Sequence, residues 1–345
     1  MDIKDYGFCN YTISDDYFGI PARITAVHKG RFVIVSDYGE GYAQLKGKEY
    51  YYGGEVFPTT GDFVLIDYNK DGDSRIVKTL ERRTCFSRRD PDKGRGEQAV
   101  AANFDYVFII QSLNHDFNPK RLERYLTAAI QSKAEPVIVL TKADLTDDYL
   151  PYIIETSNVA PNVKTCIVSA KNGYGMDELS PYLQKGKTLV FLGSSGVGKS
   201  SLVNALAGEK IMNTSDIREY DSKGRHTTTH RELIMLKSGA MIIDTPGMRE
   251  LGMWDVTEGL GDAFSDIEEL ARMCRFRDCR HENEPGCAVR EAIENGDLSE
   301  SRFDNYKKIK AEAKYSDNSA DYRRQKEQFF KNIMIGERKK KKDLY

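Results

Sequence analysis

The stretch Gly193-Ser194-Ser195-Gly196-Val197-Gly198-Lys199-Ser200 constrains this chain more than any other. It fits G-x-x-x-x-G-K-[ST], a loop whose backbone N–H groups cradle phosphate oxygens. The apolar run Thr188-Leu189-Val190-Phe191-Leu192 before it reads as a buried strand, and Ser201-Leu202-Val203-Asn204-Ala205-Leu206 after it as the first turns of a helix. Glycines let the backbone curl so that successive amides face one anion, and the helix N-terminus adds positive potential there. Residues 193–201 therefore read as a phosphate site, with Lys199 reaching the β- and γ-phosphates and the Ser200 hydroxyl holding Mg2+.

A chain of 345 residues has room for two or three domains. Its formal net charge of -2 gives no global field to attract nucleic acid, so any basic surface is local. No apolar run approaches a membrane span, and Met1-Asp2-Ile3-Lys4-Asp5 lacks a signal-peptide pattern, so a cytoplasmic protein with no membrane partner is the expectation, with a monomer as the default assumption. Of the six cysteines, three crowd into residues 274–287. That suits a reducing compartment and a metal cluster better than a disulfide framework.

Residues 1–82 carry short strand-like runs (23–27, 31–35, 43–45, 63–68 and 74–80) separated by glycine turns, the spacing of a small closed barrel, with an OB-fold the best match. Such barrels bind single-stranded nucleic acid; Tyr50-Tyr51-Tyr52 would either stack on bases or pack a barrel end. Residues 83–103, with Arg82-Arg83 at the start and Arg88-Arg89 within, read as a basic linker. Its arginines face solvent or phosphate.

From 104 to 255, strands and helices alternate: strands at 104–110, 136–140, 165–168 and 188–192, and helices opening at Asn118-Pro119, within 145–157, at 176–183 and after the glycine loop. This pattern predicts a mainly parallel sheet covered on both faces, with ligands at the carboxyl ends of its strands. Thr141-Lys142-Ala143-Asp144 sits at one such end and resembles the guanine-recognition motif Asn/Thr-Lys-x-Asp. A carboxylate there accepts from guanine N1–H and N2, and adenine would leave it unpaired. Ser169-Ala170-Lys171, at the next strand end, resembles the companion motif that meets guanine O6. Asp244-Thr245-Pro246-Gly247 resembles D-x-x-G, whose Asp helps position Mg2+ and whose Gly N–H meets the γ-phosphate. Between them, Gly224-Arg225-His226-Thr227-Thr228-Thr229 occupies the place of a first switch.

Further on, Cys274-x4-Cys279-x-His281-x5-Cys287 supplies three thiolates and one imidazole, a closed set for one structural Zn2+. Helices are expected at 288–295, 300–314 and 322–333, ahead of the charge run Arg338 to Lys342. That tail is a solvated end or an RNA contact.

Ordinary GTPases run from the phosphate loop to the guanine motifs; here the guanine motifs come first, so the domain is circularly permuted. With its flanking segments the chain resembles the RsgA (YjeQ/YloQ) family of bacterial GTPases stimulated by the small ribosomal subunit. The resemblance implies a multidomain α/β protein: an OB-fold barrel over 1–82 that binds RNA, the linker 83–103, a permuted P-loop GTPase domain over 104–255, and a zinc-binding helical domain with a basic tail over 256–345. It implies GTP hydrolysis with Mg2+ held by Ser200, Thr228 and Asp244, action in late small-subunit assembly, and barrel and zinc domains that contact rRNA. Met248 stands where many GTPases place a water-orienting Gln, and the resemblance points to His226 in that role. An ATP-dependent nucleic-acid remodeller and an inactive RNA-binding scaffold are the rival readings. The two guanine motifs oppose the first, and intact Lys199, Ser200 and Asp244 oppose the second.

Overall fold

The computed structural model describes residues 2–8, 18–28, 30–45, 56–89, 97–212, 232–244 and 257–312. The chain divides into two compact units: Met1–Ser87 with Ala99–Leu251, and Arg88–Gln98 with Gly252–Tyr345. Tyr50 to Tyr52, the expected helix 322–333 and the Arg338–Lys342 run lie outside the described residues.

In the first unit, β1 (Ile20–His28), β2 (Arg31–Ser36), β3 (Gly39–Leu45), β4 (Phe63–Asp67) and β5 (Ser74–Thr79) form the barrel. They run β1-β2-β3-β5-β4, and a β1–β4 pairing closes the ring. Only β3–β5 is parallel. This closed five-strand arrangement is OB-like. Alternate residues point inward, so Ala22, Ile24, Phe32, Ile34, Ala43, Val64, Ile66 and Ile76 fill its core.

Arg23, between two core positions of β1, points the other way and is 1% exposed. It donates to the Tyr6 carbonyl, the Thr188 hydroxyl and the Asn103 carbonyl at 2.5, 3.0 and 2.8 Å. It stitches the barrel to the base of the neighbouring sheet. Arg82 is partly buried and forms a bidentate pair with the fully buried Asp62, at 2.8 and 2.7 Å. Within 83–103, β6 (Cys85–Arg89) and β7 (Glu97–Ala102) pair as a two-stranded sheet.

The nucleotide-type sheet comprises β8 (Tyr106–Ser112), β9 (Glu135–Thr141), β10 (Thr165–Ile167), β11 (Thr188–Leu192), β12 (Glu232–Met235) and β13 (Met241–Asp244), in the order β10-β9-β8-β11-β13-β12. All neighbours are parallel except β12–β13. The antiparallel β12 also meets β1 at Glu232–Ala26, which makes the barrel and sheet continuous. Near-continuous apolar strands demand cover on both faces. Helix α1 (Pro119–Gln131) packs Leu122, Tyr125, Leu126 and Ala129 on Val107, Ile109, Ile138 and Val190. The opposite face takes Leu202, Val203 and Ala207 of α3 (Lys199–Ala207), against Phe108, Ile110, Val139 and Phe191. Between them in sequence, α2 (Leu150–Val159) follows β9. The Asn118 side chain caps α1 by accepting from the Arg121 amide, and Pro119 supplies a fixed φ at the first turn. The expected helix at 176–183 is a 3-10 segment, Met176–Tyr182, because Pro181 inside it has no N–H for an α-helical bond.

The second unit is helical: α4 (Thr257–Ala263), α5 (Ser265–Arg272), α6 (Ala288–Asn295) and a further helix over 300–312. Among the described residues, Phe264, Ile267, Val289, Phe303 and Ile309 are fully buried in it. Among the described residues, no helix is long and apolar enough to cross a membrane.

Candidate nucleotide site and metal centre

The carboxyl ends of β10, β9, β11 and β13 lie in one sheet, with β8 between β9 and β11, and carry Ser169-Ala170-Lys171, Thr141 to Asp144, the glycine loop and Asp244 in that order. The glycine loop leaves β11 at Leu192 and enters α3 at Lys199, with Gly196 and Gly198 in left-handed conformation at φ 78° and 96°. Gly193 and Val197 are buried, whereas Ser195 and Gly196 form an exposed crest. The Lys199 ammonium donates to the Gly193 and Ser194 carbonyls, each at 2.5 Å. Ser200 and Ser201 stand in the first turn of α3. Asp244 ends β13, beside β11. Burial pushes its carboxyl up to about 6, Lys199 pulls it down and Glu232 adds to the rise. Lys199, Ser200 and Asp244 thus share one corner, an arrangement suited to a Mg2+-bearing phosphate chain.

Asp116, which the sequence reading passed over, belongs to the same loop system. It accepts from the Ser194 hydroxyl at 3.1 Å and pairs with Arg121 of α1 at 3.1 Å. Its signal was a polar residue just past the end of a parallel strand, where ligand loops collect.

The guanine motifs meet across β9 and β10. Thr141 is buried, and its hydroxyl lies 2.5 Å from the Val197 carbonyl and 3.1 Å from the Gln111 carbonyl. Lys142 takes φ 59°, turning the chain sharply out of β9. Ala143 is buried, its amide donating to the Val168 carbonyl at 3.2 Å. Asp144 then accepts from the Ser169 hydroxyl at 2.6 Å and faces the Lys171 ammonium at 3.4 Å. The Ser169 bond, with Lys171 adding, holds the Asp144 carboxyl below the usual carboxylate range. Ala170 is half-buried between Ser169 and the exposed Lys171. Gly175 fixes the return of this loop: φ is 66°, and a Cβ would overlap the Ile167 carbonyl oxygen. His226, Thr228, Gly247 and Met248 lie outside the described residues.

In the second unit, the ligand atoms of Cys274, Cys279, His281 and Cys287 all lie within 4.8 Å of one another. His281 Nδ1 is 3.5 Å from Cys274 Sγ and 3.4 Å from Cys287 Sγ, and the two sulfurs are 3.9 Å apart. Metal–sulfur bonds of about 2.3 Å and metal–nitrogen bonds of about 2.0 Å imply tetrahedral edges of roughly 3.5–3.8 Å. The separations among Cys274, His281 and Cys287 approach those edges, and with Cys279 inside the same 4.8 Å cluster the four side chains could hold one four-coordinate ion. The Glu284 carboxylate braces the ligand loop by accepting from the amides of Arg280, Glu282 and Asn283, bonds that pull it down to about 2.

Comparison with known proteins agrees with this geometry. Residues 79–254 match the RsgA GTPase family. The small ribosomal subunit biogenesis GTPase RsgA 1 of Listeria innocua is 47% identical over 318 residues, covering 91% of this chain and 90% of the relative. A Methanosarcina acetivorans protein with the corresponding name is 46% identical over 265 residues, 76% of this chain and 72% of its own. The crystal structure of YjeQ from Thermotoga maritima superposes with a TM-score of 0.64 at 29% identity, covering 85% of this chain and 97% of that one. YloQ, described as a circularly permuted GTPase, gives 0.61 at 27% identity, covering 88% and 98%.

Proposed function

The chain belongs to the RsgA GTPase family, a GTP hydrolase of ribosome biogenesis, and from that premise we propose that it binds the small ribosomal subunit, hydrolyses GTP faster when bound and acts late in subunit maturation. The observation that carries this reading is the joining of Thr141-Lys142-Ala143-Asp144 to the phosphate loop through the Thr141–Val197 hydrogen bond. It supports a single site for base recognition and phosphate binding despite the permuted order.

In this reading the amides of residues 193–201 and Lys199 hold the phosphates, and Asp144 with Ser169, Ala170 and Lys171 selects guanine. Ser200, Thr228 and Asp244 surround Mg2+, which neutralises charge developing on the phosphoryl oxygens. Gly247 meets the γ-phosphate. His226 orients the attacking water, because the thioether of Met248 cannot. The Cys3His site holds zinc as a structural ion. The barrel and the zinc unit each contact rRNA weakly, and their linkage raises the effective concentration of the second contact. The D-x-x-G segment lies some thirty residues before the first metal ligand, so GTP-dependent movement there would reposition the zinc unit. Work on ribosomal subunits is cytoplasmic, and the protein acts as a monomer.

The test is GTP turnover with purified small subunits, large subunits or neither, with ATP as control. Stimulation by small subunits alone is expected. Equal turnover in all tubes would remove the ribosomal part of the reading and leave the GTP hydrolase.

A further inference from the structure

The second unit holds a cleft of about 520 Å³ that opens beside the metal centre. It is lined by Glu268, Arg272, Phe276, Arg277 and Lys310 and by three of the metal-ligand side chains, Cys274, Cys279 and His281. Glu268 accepts from the Tyr306 hydroxyl at 2.5 Å and pairs with Lys310 at 3.4 Å. One acidic group therefore faces three basic ones. Phe276 is 42% exposed, and the Arg275 guanidinium sits 5.6 Å from its ring centroid.

We propose that this cleft binds a single unstacked nucleotide of an RNA strand, the base lying against Phe276 and the flanking phosphates meeting Arg272 and Arg277. The inference rests on the rRNA-contact reading above and narrows it to one place and one form of RNA. Three chemical features select the ligand. The volume lies in the range of sites that enclose one small molecule, so a duplex cannot enter. An exposed ring is a stacking platform for any base, and a paired base has no free face to offer it. Arginines in a planar, forked geometry suit phosphate oxygens, with Glu268 limiting the charge excess. An acidic peptide without aromatic residues satisfies the arginines but has no flat ring to cover Phe276.

The test uses the full-length, metal-loaded protein and three probes: a ten-nucleotide single-stranded RNA of mixed sequence, the same sequence as a duplex, and a phosphoserine peptide of equal charge. Fluorescence anisotropy is read for the wild type, Phe276→Ala, Phe276→Tyr and Arg277→Ala, and bound metal per chain checks that each variant is folded. Removing one stacked base costs about 1–3 kcal/mol, so Phe276→Ala should weaken single-strand binding about tenfold, with Phe276→Tyr restoring it. Arg277→Ala should weaken binding and flatten its salt dependence. Duplex binding should not change in Phe276→Ala. Equal affinity for single strand in wild type and Phe276→Ala, or a phosphopeptide displacing RNA at equal concentration, would overturn the proposal. Small-subunit binding is measured alongside. Wild type and Phe276→Ala bound equally to subunits, with unchanged RNA affinity, sinks the cleft alone. A wild type that ignores subunits sinks the ribosomal reading on which the cleft rests.

Discussion

The Thr141 hydroxyl donates a 2.5 Å hydrogen bond to the carbonyl oxygen of Val197, so the loop proposed to read the base is tied directly to the glycine loop. A hydroxyl has one proton to give, and the Gln111 carbonyl at 3.1 Å competes for it. Thr141→Val keeps the shape and removes the donor. Leaving a buried carbonyl unpaired costs about 1–3 kcal/mol, so GTP and GDP affinity should fall about tenfold. Thr141→Asn supplies two donors and should recover the loss. Titration calorimetry with both nucleotides decides, and unchanged affinity in Thr141→Val would show that the loops are held otherwise.

Asp144 makes a second prediction. Its carboxyl is held down by the Ser169 hydroxyl first and Lys171 next. Base recognition needs the ionised form, so affinity is present above the folded-state value and is lost as pH falls through it. In Ser169→Ala that value returns toward the ordinary carboxylate range, and the acid limb of GTP affinity should move to higher pH. Asp144→Asn replaces acceptors with a donor and should favour xanthine, which carries a carbonyl where guanine has an amino group, over guanine. Affinities for the two nucleotides between about pH 3 and pH 6, a window that spans the ordinary aspartate value of about 3.9, check both statements.

Much of this site was legible because its signals are local. The strand–loop–helix around Lys199, the tetrapeptide Thr141 to Asp144 and the cysteine spacing each lie within a few residues. The five barrel strands were legible too, since turn residues punctuate them and inward positions alternate. The strand β12 is only four residues long and gains its place from pairing with β13 and β1, which no local window contains. The destinations of Arg23 and Arg82 were hidden for the same reason. Arg82 stands in a basic run that reads as solvated, and only the fold brings Asp62 to it and the Thr188 hydroxyl to Arg23. Ser194 binding Asp116 spans 78 residues of sequence and had no signature beyond position at a strand end.

That hidden pair gives a third prediction. Asp62 is 0% exposed, and besides Arg82 its carboxylate accepts the Thr59 amide at 2.7 Å. Arg82→Met leaves a buried carboxylate without its cation, a change that costs about 3–5 kcal/mol. Urea unfolding of the variant should show that loss, and Arg82→Met with Asp62→Asn should recover part of it. A loss below about 1 kcal/mol in Arg82→Met would place the pair among ordinary surface contacts.

Metal removal should separate the two units. The ligand loop owes its shape to four side chains gathered within 4.8 Å and to Glu284 bonding three amides, with His281 held at φ 61°, an uncommon value for a residue with a side chain. A short segment with few apolar residues cannot keep this arrangement on packing alone, so binding of the ion supplies its folding free energy. Cys279→Ser, which weakens one ligand without touching the buried Cys287, should lower bound metal below one ion per chain. Amides over 274–287 should then exchange freely with solvent. Nucleotide affinity should be unaffected, because the residues from Thr141 to Asp244 belong to the other compact unit. Hydrogen exchange read by mass spectrometry, together with metal analysis and a nucleotide titration on the same sample, reports all three. Retained protection over 274–287 after loss of the metal would show that the loop folds without it.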